Sequence, residues 1–351
     1  MITTEQFVDV LKSMYPSASQ LLHKHTDTEI LQAAADLSHI DPQRLANFLM
    51  GGFGKGKTNG AYAVVLSDLT QNIDRYDWVY EHLEDERSRF VFSRLIHYRL
   101  FPDPSILKDA YDGNIPQYFD PDIVSCSENE VFVDCGGYIG DISESFIRSF
   151  GAYHAIHVYE PDPENIVQCR TNLAPYKNIF LHHAGVGEHS EKLSFDSSNS
   201  ASSFVSAAEN AEKISVISLD EDITDPVTFI KMDVEGFEIP ALLGAKEHIR
   251  KDCPKLAICT YHIVSDLWEI PMLIHAINPN YKFYFRHYHE EQNWEPVLYA
   301  IPMEQYVTVA QKSEKTKRIL ALASDPNSGW MDRIEWANPD FQKFMDCCDV
   351  I

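Results

Sequence analysis

The run Val131-Phe-Val-Asp-Cys-Gly-Gly-Tyr-Ile-Gly-Asp141 constrains this chain more than any other stretch. Val131–Val133 is apolar without alternation and ends at Asp134, which reads as a short strand buried on both faces. Gly136, Gly137 and Gly140 follow, and then Ile142, Phe146, Ile147 and Phe150 recur at helical spacing. Strand, glycine turn and helix together form the opening unit of a nucleotide-binding α/β domain. The glycines permit a tight turn with close ligand approach, and the helix start offers free N–H groups.

The acids in and after this turn narrow the ligand. A dinucleotide would place its pyrophosphate over the turn, where Asp134 and Asp141 repel it. S-adenosylmethionine (SAM) instead presents a cationic α-amino group and a sulfonium, which carboxylates attract. Glu160 closes the apolar run Ile156–Tyr159, ahead of Pro161-Asp162, and an acid at that position accepts ribose hydroxyls. The competing interpretation is a βαβ crossover that binds nothing.

With 351 residues the chain can hold one large domain or two of ordinary size, and 44% hydrophobic with 23% charged residues is the composition of a globular protein. A formal net charge of −24 argues against nucleic acid or an anionic membrane as partner. No signal segment is expected in Met1–Val10, and no apolar run approaches a membrane span. Seven cysteines, an odd number without a CxxC pair, suggest reduced thiols and a cytoplasmic protein.

Residues 1–114 read as a helical accessory region, with Phe7, Val8, Leu11 and Met14, and later Phe90, Val91, Leu95 and Tyr98, at helical spacing. Prolines 102, 104, 116 and 121 suggest a linker. Gly51–Thr58 fits the pattern G-x-x-x-x-G-K-[ST], but no strand precedes it and Asn59-Gly60 breaks the helix that should follow, so Lys57 is not expected to bind phosphate. From Val131 the pattern alternates. Strands are expected at 131–135, 155–160, 179–183, 214–219, 229–232 and 256–260, with helices at 141–150, 163–174, 238–250 and 269–277. Tyr281–Tyr288 and Val297–Ile301 read as an antiparallel pair. The order implies an α/β domain with a mostly parallel sheet and helices on both faces, its ligands outside the carboxyl ends of the strands. Asp134, Glu160, His183, Asp233 and His262 all fall at such ends.

Val131–Asp141, Tyr159-Glu-Pro-Asp162, Ser218-Leu-Asp220 and above all Ile230-Lys-Met-Asp-Val-Glu-Gly-Phe-Glu238 resemble the FkbM-type family of SAM-dependent methyltransferases. Leu242-Leu-Gly-Ala245 and Tyr281-Lys-Phe-Tyr-Phe-Arg-His287 extend the likeness, which covers about residues 115–302. The resemblance implies a class I methyltransferase, Rossmann-like fold of seven strands with the last one antiparallel, in a domain spanning 115–305; residues 306–351 lie outside it and are expected to form a helical tail. It implies O-methylation of a hydroxyl on a sugar, glycan or natural product, with a homo-oligomer compatible. Carried over position by position, Asp134, Gly136, Gly137 and Gly140 would line methionine and ribose, with Asp141 beside them. Glu160 would take the ribose hydroxyls, Asp162 and Asn165 would lie near the adenosine, and Gly185 and Val186 would border the adenine. Asp233 would sit by the methyl group, and Gln117-Tyr118-Phe119 would close over the cleft.

For the chemistry, His262 is the expected general base, since a histidine takes a hydroxyl proton near neutral pH. Asp233 and Glu235 would orient the acceptor or hold Mg²⁺ through oxygen ligands. They could equally be a capping cluster for the helix that follows, and His262 a hydrogen-bonded structural histidine. His182-His183 is expected to be structural or near the adenine, and His287 and His289 with Glu290 and Glu291 match no closed zinc pattern and read as a solvated loop. A nicotinamide dehydrogenase and an inert binding module of the same fold stand as the alternatives to methyl transfer.

Overall fold

In the computed structural model, residues 65, 68, 69, 71–100, 105–113, 115–196, 204, 205, 212–290 and 294–303 are described. The chain divides into a unit of residues 1–303 and a second of residues 304–351. The second unit, the glycine loop 51–58 and the N-terminal helical pattern around Phe7 lie outside the described residues.

Three helices come first: α1 (Ile73–His82), α2 (Glu86–Leu100) and α3 (Ser105–Lys108). The α/β part follows as β1 (Val131–Cys135), α4 (Asp141–Phe150), β2 (Ala155–Tyr159), α5 (Pro163–Leu173), β3 (Ile179–His182), β4 (Gly185–Val186), β5 (Glu191–Asp196), β6 (Phe204–Val205) and β7 (Glu212–Ile217). It continues with α6 (Leu219–Asp222), β8 (Phe229–Met232), α7 (Glu238–Leu243), α8 (Lys246–Lys251), β9 (Lys255–Cys259), α9 (Asp266–Ile277), β10 (Tyr281–His287) and β11 (Pro296–Pro302).

Seven strands pair in the order β10-β11-β9-β8-β1-β2-β3. β1, β2, β3, β8 and β9 run parallel, while β11 lies antiparallel to both β9 and β10. The last strand is therefore the reversed one, inserted between its hairpin partner and the parallel block. Side chains alternate across this sheet. Val133, Cys135, Ile230, Met232 and Phe285 join the core that also holds Val91, Leu95 and Tyr98 of α2. Phe132, Phe229, Ile156 and Tyr299 face the opposite core, where Phe146 of α4 stacks on Phe132 at a centroid distance of 4.4 Å. Among the described residues no helix is long and apolar enough to cross a membrane, and the five described cysteines are free thiols.

Three details depart from expectation. The 214–219 strand does not enter the main sheet: β7 pairs with β4 and β5 in a four-stranded sheet ordered β4-β7-β5-β6. Periodicity reports which faces of a strand are buried but not which strand lies beside it. The 238–250 helix is two helices, because Gly244 packs against the backbone of Gly187, so close that a Cβ would lie 1.9 Å from the Gly187 oxygen. His287 is not in a solvated loop. β10 continues to it, opposite Pro296 of β11, and its side chain is buried. The helices before residue 114 share a core with the sheet, so a boundary there crosses a continuous apolar cluster. Glu84 N donates to Phe283 O at 2.9 Å, and Arg286 of β10 reaches Asp85 and Ser88 beside α2.

The turn after β1 fits only as glycine at Gly136. Its φ is +79°, and a Cβ would lie 1.8 Å from the carbonyl oxygen of Asp233 in the turn after β8. Gly136→Ala is expected to cost about 2 kcal/mol or more, since an incompatible backbone angle and a backbone clash coincide. Urea unfolding measures this, and a stability within about 0.5 kcal/mol of wild type would contradict it.

Candidate active site

A cavity of about 360 Å³ opens at the carboxyl ends of β1, β2 and β8, within the range that holds cofactor-sized ligands. The parallel strands end there in turns, and those turns supply its walls.

One end is apolar. Gly185 and Val186 of β4, Ile214 and Val216 of β7, Pro161 and Phe237 line it. A Cβ on Gly185 would lie 3.6 Å from Ile214, 3.7 Å from Val216 and 3.9 Å from Pro161, so three apolar side chains converge on the open face of the glycine. Such a slot suits a flat heterocycle.

Glu160 lines the middle, with Tyr138 and Asn165 near it. Its Oε1 accepts from Asp162 N and its Oε2 from Tyr138 N, each at 2.8 Å, which fixes the carboxylate and leaves lone pairs toward the cavity. Burial pushes the Glu160 carboxyl up to about 7, although the Asp162 and Tyr138 amides and Asn165 oppose the shift. Asp141 stands at the first turn of α4, where burial also raises its pKa.

The far end is polar. Tyr118 Oη donates to Asp233 Oδ2 at 3.0 Å and Tyr261 Oη donates to Asp233 Oδ1 at 3.2 Å. Burial alone would raise the Asp233 carboxyl. Lys231, His262 and the two tyrosines outweigh it and hold Asp233 below the usual carboxylate range. Glu235, Glu295, Gln117 and Lys231 complete this wall. Tyr118, Tyr138, Glu235 and Glu295 all have positive φ without being glycine, and only Asn178 and Cys253 share that trait among the described residues. Strained backbone thus concentrates at this cavity, as it does at functional sites.

Several expected site residues lie elsewhere. Asp134 is 0% exposed and sits behind the turn, where its Oδ1 is 3.0 Å from Lys231 Nζ and its Oδ2 accepts from Ser143 Oγ at 2.7 Å. Register explains the pairing: Asp134 of β1 is directly opposite Lys231 of β8 on one face of the sheet. Gly137 and Gly140 serve packing, their open faces turned to Val158 and to Leu173 with Cys169. Asp162 caps α5, its Oδ1 accepting from Glu164 N and Asn165 N. Gln117 and Tyr118 line the cavity as expected, while Phe119 lies in the core among Phe132, Phe146 and Phe229. His183 is exposed, and His182 stacks on Tyr159 at 4.2 Å and pairs with Asp222 at 3.1 Å.

His262 is placed behind the cavity wall and does not line it. Its Nε2 is 3.4 Å from Asp233 and 3.6 Å from Glu235, and its Nδ1 is 2.8 Å from Glu238 Oε1. The last contact has the length of a hydrogen bond but the oxygen lies off the N–H direction, so the attraction is mainly coulombic. Burial would lower the His262 pKa, but the Glu238, Asp233 and Glu235 carboxylates push it up to about 10. An imidazolium has no lone pair to take a proton, so the expected base role does not fit a neutral-pH reaction.

The Mg²⁺ expectation fares similarly. Among the described residues, the groups whose ligand atoms approach one another closely are Asp233–Cys259–Glu295 and Asp233–Glu238–His262, and neither includes Glu235. Each set includes a thiol or an imidazole, whereas Mg²⁺ takes oxygen ligands, so neither is an all-oxygen set. In this structure the group that approaches both Asp233 and Glu235 is His262, at 3.4 and 3.6 Å.

The fold has a counterpart among known proteins. A profile of the methyltransferase FkbM domain matches residues 134–287. Those residues of the chain are similar to the FkbM methyltransferase domain. The crystal structure of methyltransferase FkbM from Methylobacillus flagellatus KT is similar at 25% identity and a TM-score of 0.61, over 74% of this chain and 70% of that one. An rRNA methylase from Streptococcus thermophilus aligns at 14% identity and a TM-score of 0.33, over 50% of this chain and 87% of that one. Fibrillarin from Aeropyrum pernix, with natively bound S-adenosyl-L-methionine, aligns at 11% identity and a TM-score of 0.33, over 56% of this chain and 73% of that one. A comparison with curated proteins finds no match.

Sequence reasoning missed Tyr138, Ile214, Val216, Phe237, Tyr261 and Glu295 as cavity residues. Tyr138, Phe237 and Tyr261 carried a signal, as neighbours of residues already singled out, and the other three did not.

Proposed function

We propose that this protein is a methyltransferase that uses SAM as methyl donor and transfers the methyl group to a hydroxyl of a sugar, glycan or natural product. The observation that supports it is the order of groups along one cavity: an apolar slot, a fixed carboxylate, and an acid-and-tyrosine end. The slot takes the adenine, Glu160 accepts from both ribose hydroxyls, and Asp141, rather than the buried Asp134, faces the α-amino cation. SAM supplies an electrophilic methyl group on a sulfonium when bound. The protein's own part is to hold the acceptor oxygen in line with that methyl group, which supplies most of the acceleration in such reactions. Tyr118 and Tyr261, fixed by Asp233, give that end rigid hydroxyls for positioning.

Thermal shift with SAM, S-adenosylhomocysteine (SAH), NAD and ATP tests the cofactor, since a ligand binding only the native state raises stability. SAM and SAH are expected to raise the melting temperature and NAD and ATP to leave it unchanged. A labelled-methyl screen over glycans, lipids and small hydroxylated metabolites then finds the acceptor. SAM binding with no transfer to any hydroxyl in that screen, and transfer to an amine or carboxylate instead, would overturn the O-methylation reading.

A further inference from the structure

We propose that Glu235 is the catalytic base of the methyl transfer, that the positive charge of the bound methyl donor ionises it, and that His262 is its positioning residue. This rests on the methyl-transfer reading above.

Three carboxylates line the acceptor end of the cavity, and two are already committed. Asp233 accepts from Tyr118 and Tyr261 and is held ionised by Lys231 and His262, which makes it a weak base. Glu295 accepts from the Gln117 side chain. Glu235 is left: in the described structure its carboxylate has one polar contact, the 3.6 Å approach to His262 Nε2. Its left-handed backbone, φ +54°, sets it on the turn between β8 and α7 that borders the cavity.

The groups facing Glu235 come from every element around it. Asp233 ends β8, Glu238 opens α7, Tyr261 and His262 follow β9, and Glu295 precedes β11. Burial raises the Glu235 carboxyl to about 7; His262 opposes this, while Asp233, Glu238 and Glu295 reinforce it. In the free protein the group is therefore partly protonated at neutral pH. A sulfonium placed in the cavity adds a positive charge and favours the carboxylate. During transfer the acceptor oxygen forms a bond to the methyl carbon, the carbon–sulfur pair stays on sulfur, and the hydroxyl proton passes to Glu235. One positive and one negative charge disappear together, leaving a methyl ether, a neutral thioether and a neutral carboxylic acid. Solvent takes the proton once the product has left.

His262 acts through its neighbours. Its ring ties Glu235 and Asp233 to Glu238, and Glu238 Oε1 in turn accepts from Val234 N at 3.0 Å, so the turn that carries both cavity acids is folded around one buried imidazolium.

Calorimetric titration of SAM and of SAH at pH 7, in buffers of different ionisation enthalpy, counts the protons released on binding. Both ligands carry the ribose, so release from Glu160 is common to them. Only SAM carries the sulfonium. Wild type is expected to release up to about half a proton more with SAM than with SAH, the share still bound to a group titrating near the working pH. Glu235→Gln should abolish that difference and leave the common release. Glu235→Asn, whose side chain tolerates left-handed backbone, should do the same. His262→Gln removes the neighbouring cation and should move the pH of greatest difference upward by about one unit or more. Equal release by both ligands in wild type, or a difference that survives in both Glu235 variants, would overturn the assignment of the base. An unmoved optimum in His262→Gln would overturn the positioning role. Binding of neither ligand would overturn the methyl-transfer reading and this proposal with it.

Discussion

Asp134→Ala is expected to destabilise the fold by about 3–5 kcal/mol, the usual cost of removing one partner from a buried ion pair. The reason is Lys231, which is 1% exposed and keeps its ammonium group against the Gly136 and Cys135 carbonyls at 2.7 and 3.3 Å. Burial would favour neutral Lys231, but Asp134 and Asp233 raise its pKa above the ordinary value, so the charge persists. Without Asp134 that cation loses its nearest counter-ion, and Ser143 Oγ loses its acceptor. For a chain of this size the melting temperature should fall by roughly 10 °C. Lys231→Met in the same background should recover part of the loss, because no buried charge is then left unpaired. Calorimetric unfolding of the single and double variants measures both effects. A melting temperature unchanged in Asp134→Ala, with SAM affinity lost, would instead mean that the residue faces the ligand.

Glu160→Ala should weaken SAM and SAH binding about a hundredfold or more. Two hydroxyl hydrogen bonds to a charged acceptor are lost, each worth about 1.5–3 kcal/mol, and 1.4 kcal/mol is tenfold in affinity. Glu160→Gln keeps the shape and an acceptor oxygen and should cost about tenfold. The pH dependence follows from the same group. In the free protein burial places the Glu160 pKa at about 7, and on the proposed reading the ribose hydroxyls donate to its ionised form. Affinity is therefore full above pH 7 and falls as pH drops below it, by up to about tenfold per unit. SAH is the ligand for this measurement, since it lacks the charge that acts on Glu235. Isothermal titrations between pH 5.5 and 8.5 should show the slope in wild type and lose it in Glu160→Gln. Alanine affinity within about threefold of wild type would remove Glu160 from the ribose site.

The one-dimensional features of this chain are local in origin, and the sequence holds them. β1, β2, β8 and β9 are short apolar runs ended by a polar residue, and α4 follows its glycines with apolar spacing. Glu160 is legible for the same reason, because strand ends in a parallel sheet border the ligand side, and Glu160 does line the cavity. The composition of the acid-rich turn 233–238 is equally plain. Partners are another matter, since pairing depends on register between strands far apart in the chain. Asp134 and Lys231 were each visible, but only the register of β1 on β8 puts them side by side and turns a candidate ligand group into a buried counter-ion. Likewise His262 could be placed at a strand end beside Asp233, but its charge is set by Glu238 and Glu235 converging on it in space. The apolar slot is built from β4 and β7, which lie in a second sheet that periodicity does not reveal. The sequence by itself determined the strands of the main sheet, their order along the chain and the end of the sheet where chemistry occurs, because these follow from local pattern and chain direction. Which acids are counter-ions, which are free, and which histidine carries a proton was decided only by the tertiary structure, because burial and charge proximity exist only once distant segments are packed together.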